Sequence, residues 1–132
     1  MSQWIWLDAD VLLAAHDEQL EEHGGASGLR DRGLFESALA RPQNLAVYGD
    51  PDVADLSASY AYGIAKNHAF VDGNKRTALV ALELFLECNG YELTVDDMQC
   101  VLIILSIASG AINESDLAGW IRKNSSRIRP AA

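Results

Sequence analysis

His68, Asp72, Gly73, Asn74, Lys75 and Arg76 lie within the short stretch "HAFVDGNKRT", flanked by segments rich in alanine, leucine and tyrosine. An imidazole, a carboxylate, an amide, an ammonium and a guanidinium gathered this closely form a set suited to handling an anion. If a helix begins at Gly73-Asn74, Lys75 and Arg76 fall in its first turn, where the helix dipole disfavours cations. An anion bound over the exposed backbone N–H groups reverses that cost, and Gly73 lets the backbone approach it closely. Arg76 offers a planar fork of donors and Lys75 a mobile point charge, a pair that suits a polyphosphate better than a lone carboxylate. Asp72 beside phosphates suits Mg²⁺, which takes one or two protein carboxylates together with phosphate oxygens and water. His68, at the mouth of the loop, is placed to take a proton from an attacking hydroxyl, with Phe70 as a buried anchor. Singly, each residue has an ordinary structural counterpart: a hydrogen-bonded histidine, a solvated Lys-Arg pair, an Asp-Gly-Asn turn. Their clustering ahead of a very apolar segment points to an anion or nucleotide site.

The elements that must position this loop read as helices. Asp8 caps a first helix carrying Leu12, Leu13, Ala15 and Leu20, which ends at Gly24-Gly25. Asp31 or Arg32 opens a second with Leu34, Phe35, Ala38 and Leu39, and Pro42 marks its end. Asp52 with Asp55 caps a third, running to about Asn67. The fourth runs from Gly73-Asn74 to Asn89, apolar nearly all round and therefore expected to be central. Asp96 or Asp97 opens a fifth, closed by Gly110, and Asn113 with Asp116 caps a sixth. Trp4–Leu7 suits an edge strand or a packed arm, and Tyr91–Leu93 a short strand. The expectation is an all-α bundle of about six helices, with at most a minor strand pair, in one domain spanning 1–132.

Composition narrows the function further. The net charge of −9 argues against a phosphate-tracking nucleic-acid surface. Arg122, Lys123, Arg127 and Arg129 read as a frayed, solvated tail. Cys88 and Cys100 have neither CxxC spacing nor histidine partners and read as reduced thiols. No charged-then-apolar leader opens the sequence, and no apolar run approaches the roughly 18 residues of a membrane span, so a cytoplasmic protein is expected. "DGNKRT" lacks the upstream glycine of a Walker A loop. His16 and His23 share a helix face but have no third convergent ligand for zinc.

"HAFVDGNKR" resembles the signature of the Fic/Doc superfamily in its death-on-curing form, H-x-F-x-D/N-A/G-N-K-R, and matches every fixed position. Two longer blocks, His23–Gln43 and Ala61–Leu93, are similar to the family's N-terminal and central blocks. The resemblance implies an all-α Fic-type fold and the toxin of a bacterial toxin–antitoxin pair. It implies a kinase that moves the γ-phosphoryl group of ATP, with Mg²⁺, to a threonine of elongation factor Tu and so blocks translation. By position, it implies His68 as general base and Asp72 as magnesium ligand. Gly73 and Asn74 would form the anion turn through their backbone and the Asn74 amide, and Lys75 and Arg76 would clamp phosphates. The implied partners are the target factor and a Phd-like antitoxin that folds on binding, with no membrane and no direct nucleic-acid contact.

AMP-transferring relatives carry H-P-F-x-D/E-G-N-G-R-x-x-R. Here Lys75 replaces the second glycine and Leu79 the final arginine, and an aliphatic side chain cannot pair a phosphate. AMP transfer is therefore the alternative, along with a catalytically inactive regulator that only binds an antitoxin. Arg30, Asp31 and Arg32, in the first block, suit target contact and simple capping equally.

Overall fold

The computed structural model describes residues 3–129. Six helices, α1 (Ala9–His23), α2 (Arg32–Tyr48), α3 (Val53–Asn67), α4 (Asn74–Cys88), α5 (Asp97–Ala108) and α6 (Glu114–Lys123), are joined by a single strand pair, β1 (Tyr91–Leu93) and β2 (Ser125–Arg127). Five helices start where a short polar side chain takes up a free backbone N–H: Asp8, Asp31, Asp52, Asp96 and Asn113. Asp52–Asp55 and Asn113–Asp116 close reciprocal capping boxes. The helix α4 alone begins without a side-chain cap.

Helix α3 is the centre, packing against α2, α4 and α6. Eleven of its 15 residues are buried, against seven of 15 in α4, so the central place expected of α4 falls to α3. Composition explains the difference. Ala54, Ala58, Ala61, Gly63 and Ala65 let neighbouring helices close on α3 from several sides, while Glu83 and Glu87 keep one side of α4 towards water. Ser57 avoids an unsatisfied hydroxyl by donating to the Val53 carbonyl at 2.9 Å. Tyr60, Phe35, Phe70 and Phe85 are the largest fully buried side chains.

Two other local expectations, at Pro42 and in the C-terminal basic cluster, give way to tertiary contacts, and Trp4–Leu7 takes the second of its two expected forms. Pro42 does not end α2; it is buried inside the helix, which continues to Tyr48. An internal proline costs about 3 kcal/mol, offset here by the packing of Leu45 and Ala46 against the core beyond it. Trp4–Leu7 forms a packed arm and no strand. Its backbone bonds to side chains, Leu7 N–H to the Tyr60 hydroxyl and Ile5 to the Asn89 amide, while Trp4 and Trp6 lie 6.2 and 5.9 Å from the Phe85 ring. The strand β1 pairs instead with β2, antiparallel, Tyr91 opposite Arg127. Arg122 and Arg127 are accordingly no part of a frayed tail, although all four basic residues there are exposed. Arg122 donates to Asp52 at 2.8 and 3.1 Å and to Asp55 at 3.0 Å, and the Arg127 guanidinium lies over the Tyr91 ring. Arg122 holds the Asp52 carboxyl at about 2.

Candidate functional site

The loop between α3 and α4 is held from one side by the segment linking α1 to α2. Val71 N–H bonds to the Gly28 carbonyl at 3.0 Å, and the N–H groups of Arg30 and Asp31 reach the Ala69 carbonyl at 2.7 and 3.1 Å. These contacts make an antiparallel bridge between Leu29 and Phe70. The Arg30 guanidinium adds bonds to the carbonyls of His68 (2.7 Å) and Asn67 (3.3 Å), capping the end of α3. Arg30 is thus a staple for the loop. Asp31 caps α2 by accepting from Leu34 N–H, and Arg32 pairs with Glu36 on the helix surface.

His68 ends α3 in the left-handed conformation, φ 51 and ψ 48, the one non-glycine with positive φ among the described residues. That conformation costs roughly 1–2 kcal/mol for an L-residue and persists only where surrounding contacts enforce it. The exposed imidazole is therefore carried on a backbone that Arg30 and the Leu29–Phe70 bridge hold in place. Next to it, Ala69 and Phe70 are buried. The Phe70 ring lies flat on His16, centroids 3.8 Å apart, and meets Phe35 edge-on.

Asn74 departs from its expected place. Its Oδ1 accepts from Phe70 N–H and its Nδ2 donates to the Phe70 carbonyl, both at 3.0 Å, so the amide faces into the protein and braces the loop. What remains open at the start of α4 is backbone. Gly73 is left-handed, φ 79, no acid lies in the first turn, and the first N–H to bond back along the chain is that of Thr77. The N–H groups of Asn74, Lys75 and Arg76 have no partner among the described residues. Lys75 and Arg76 are exposed and form no ion pair there either.

Asp72 is exposed, and its Oδ1 accepts from Gly73 N–H at 2.8 Å. The glycine-rich link passes close by: a Cβ added at Gly25 would lie 2.8 Å from Asp72 Oδ2. Among the described residues no three His, Cys, Asp or Glu side chains gather as metal ligands. A lone carboxylate next to free N–H donors nevertheless fits Mg²⁺ arriving on a phosphate chain, because that ion needs few protein ligands. Concavities of about 460 and 480 Å³ lie elsewhere, one beside Asp50, Asp55 and Glu114, the other beside Trp4, Tyr91 and Arg127.

His16 escaped the sequence reading of this site. It is 2% exposed, and its Nε2 lies 2.7 Å from the Asp72 carbonyl oxygen. The available signal was its register: it follows Leu12 by four residues and precedes Leu20 by four, on the apolar face of α1.

In this helical scaffold α4 opens uncapped, with Asp72, Lys75 and Arg76 exposed around backbone N–H groups that have no partner among the described residues, an arrangement suited to an anion. The chain belongs to the Fic/DOC family, whose model matches residues 6–86, from the N-terminal arm through most of α4. It is similar to the protein kinase doc of Escherichia phage P1, 33% identical over 118 residues that cover 89% of this chain and 93% of the relative. It is also similar to the toxin Doc of Mycolicibacterium smegmatis (strain ATCC 700084 / mc(2)155), 47% identical over 76 residues, 55% of this chain and 58% of that relative. These likenesses place it with the Doc toxin type of the family. Among the described residues no helix is long and apolar enough to cross a membrane.

Proposed function

We propose that this chain is a protein kinase toxin that transfers the γ-phosphoryl group of ATP to a threonine of elongation factor Tu, and that a Phd-like antitoxin restrains it. The observation that carries the reading is the start of α4, where backbone N–H groups without partners among the described residues sit in one turn with the exposed Asp72, Lys75 and Arg76. The printed name of the phage P1 relative, a protein kinase, supports it.

In this reading the N–H groups at the head of α4 bind phosphate oxygens, with the helix dipole favouring their charge. Lys75 and Arg76 add donors that strengthen as negative charge shifts during transfer. His68 takes the proton of the target hydroxyl as its oxygen bonds to the γ-phosphorus and ADP departs with the bond that breaks. Asp72 is the residue to hold Mg²⁺, which when bound offsets the charge of the phosphate chain. Gly73 and the buried Asn74 keep the turn in shape, Asn74 through Phe70. Leu79 favours phosphoryl over AMP transfer, since it packs against the core and brings no charge to a second phosphate.

The antitoxin face is on α5. Met98, Val101, Leu102 and Leu105 are 46–70% exposed, a ridge at helical spacing. Asp96, Asp97, Glu83 and Glu87 flank this region; burial and then the charges of Glu87 and Asp97 raise the Glu83 carboxyl above the ordinary carboxylate range. An apolar ridge with an acidic margin suits an amphipathic segment bearing basic residues, folding as it binds.

Intact-mass measurement of elongation factor Tu after incubation with this protein, Mg²⁺ and ATP tests the reaction. One added phosphoryl group, absent with His68→Ala, is the expected result. Addition of AMP identifies the alternative transfer, and an unchanged mass rules out this target.

A further inference from the structure

We infer that His16 is a positioning residue for the anion turn, acting through the backbone of Asp72. The inference rests on the proposed phosphoryl-transfer reading for its catalytic consequence, but its geometric content stands apart from it.

One flat face of the ring and its Nε2 edge both meet the signature loop, more than 50 residues further along the chain. The face stacks on Phe70 at 3.8 Å and 12° between planes. The Nε2 atom meets the Asp72 carbonyl at 2.7 Å. A Cβ placed on Gly73 would sit 3.5 Å from the ring's Cδ2 and Nε2, so glycine lets the turn lie directly against it. A carbonyl oxygen only accepts hydrogen bonds, so Nε2 carries the hydrogen in this contact. On the far side, Nδ1 is 3.9 Å from the exposed Asp17 carboxylate, beyond hydrogen-bond reach.

The consequence follows from peptide geometry. The Asp72–Gly73 bond is trans, and in a planar trans peptide the C=O and N–H point to opposite sides. A carbonyl tied inward by His16 turns the Gly73 N–H outward, where it meets Asp72 Oδ1 at 2.8 Å. One buried donor thereby orients the peptide plane ahead of α4 and, through Gly73 N–H, the carboxylate assigned to the metal.

Two substitutions separate the ring's two contacts. His16→Phe keeps the flat stack and cannot donate; His16→Gln keeps a donor near the Nε2 position and loses the stack. The ¹⁵N spectrum of the wild-type imidazole should show the Nε2–H tautomer, and the Nδ1–H tautomer would overturn the inference. The amide resonances of Gly73 and Asn74, read without nucleotide, should move in His16→Phe and stay near their wild-type positions in His16→Gln. With ATP and the protein target, His16→Phe should lower kcat by about 100-fold at little change in the KM of the target, the scale expected from misplacing a reacting group by about 1 Å. His16→Gln should recover most of the rate. Equal losses in both variants with equally lowered Tm would reduce His16 to a packing residue. If His16→Phe does not fold, a shifted Gly73 amide in His16→Gln overturns the inference and an unshifted one supports it. A wild-type protein that transfers nothing would remove the enzymatic reading while the tautomer and amide resonances still decide the role of His16.

Discussion

Arg30 and His68 are joined across 38 residues of chain, the guanidinium Nε donating to the His68 carbonyl at 2.7 Å. The bond fixes the peptide of a residue whose own conformation is unfavourable, φ 51 without the freedom of glycine. With His68 as the proposed general base, function and stability are opposed at this residue. His68→Gly relieves strain of roughly 1–2 kcal/mol and gains unfolded-state entropy that takes back about 0.5–1 kcal/mol. It should raise Tm slightly while abolishing transfer. A lowered Tm on thermal unfolding would mean that the imidazole itself contributes to folding.

Gly25 and Asp72 make a second point of close approach. A Cβ at Gly25 would fall 2.8 Å from Asp72 Oδ2, and the residue's φ of 127 is unsuited to other side chains. At Gly24, also at positive φ (79, with ψ 173), a Cβ meets nothing within 4 Å. Gly25→Ala should therefore displace the carboxylate and weaken Mg²⁺ binding, raising the Mg²⁺ concentration for half-maximal transfer several-fold. Gly24→Ala should cost only backbone strain, about 1–3 kcal/mol. Equal magnesium requirements in the two variants would show that Asp72 does not hold the ion.

Local features of this fold are legible in the sequence, and features made by packing are not. The caps at Asp8, Asp52 and Asn113 are local, since side chain and N–H lie two or three residues apart, and those helix starts were readable directly. The cluster from His68 to Arg76 was visible for the same reason. The inward turn of the Asn74 amide, the contact of His16 with Asp72 and the pairing of β1 with β2 depend on how the helices pack, and no local pattern encodes them. Pro42 shows the converse, a strong local stop signal overridden by burial of the residues beyond it.

Arg122 links α6 to the cap of α3 and should make stability pH-dependent at the acid end. Hydrogen bonds from Arg122 lower the Asp52 carboxyl from 3.8 to about 2. The stabilisation is thus present above about 4, the unfolded value, and disappears as pH falls through about 2. Both side chains are about half exposed, so solvent screening limits the pair to about 1 kcal/mol. Arg122→Gln should lower the unfolding free energy by that amount at neutral pH, and the difference from wild type should shrink towards zero between pH 4 and 2. A pH-independent difference in denaturant titrations would assign the loss to packing of the arginine stem.

Thr77 is fully buried one turn into α4, and its Oγ1 has no hydrogen-bond partner among the described residues. An unsatisfied buried hydroxyl costs about 1–3 kcal/mol, and valine nearly matches its shape. Thr77→Val should be neutral to stabilising, by up to about 1 kcal/mol, in the same titrations. Destabilisation would show that the hydroxyl has a partner, such as an ordered water beneath the turn.

In the proposed reading the ridge on α5 serves restraint and the loop before α4 serves catalysis. Met98, Val101, Leu102 and Leu105 stay exposed, while Cys100, Ile104 and Ile107 on the same helix are buried. A change on the ridge can therefore alter partner binding without opening the core. Leu102→Asp places a charge in the middle of the apolar strip and should weaken binding of the cognate antitoxin by at least about 10-fold, since a central apolar anchor contributes about 2 kcal/mol or more. Tm should remain within a few degrees of wild type, and phosphoryl transfer in the absence of antitoxin should be unchanged. In calorimetric titration against the antitoxin, an unaltered affinity would place the antitoxin elsewhere. Lost affinity with retained transfer would give a toxin that escapes its restraint, the outcome expected if α5 receives the partner and the loop before α4 performs the chemistry.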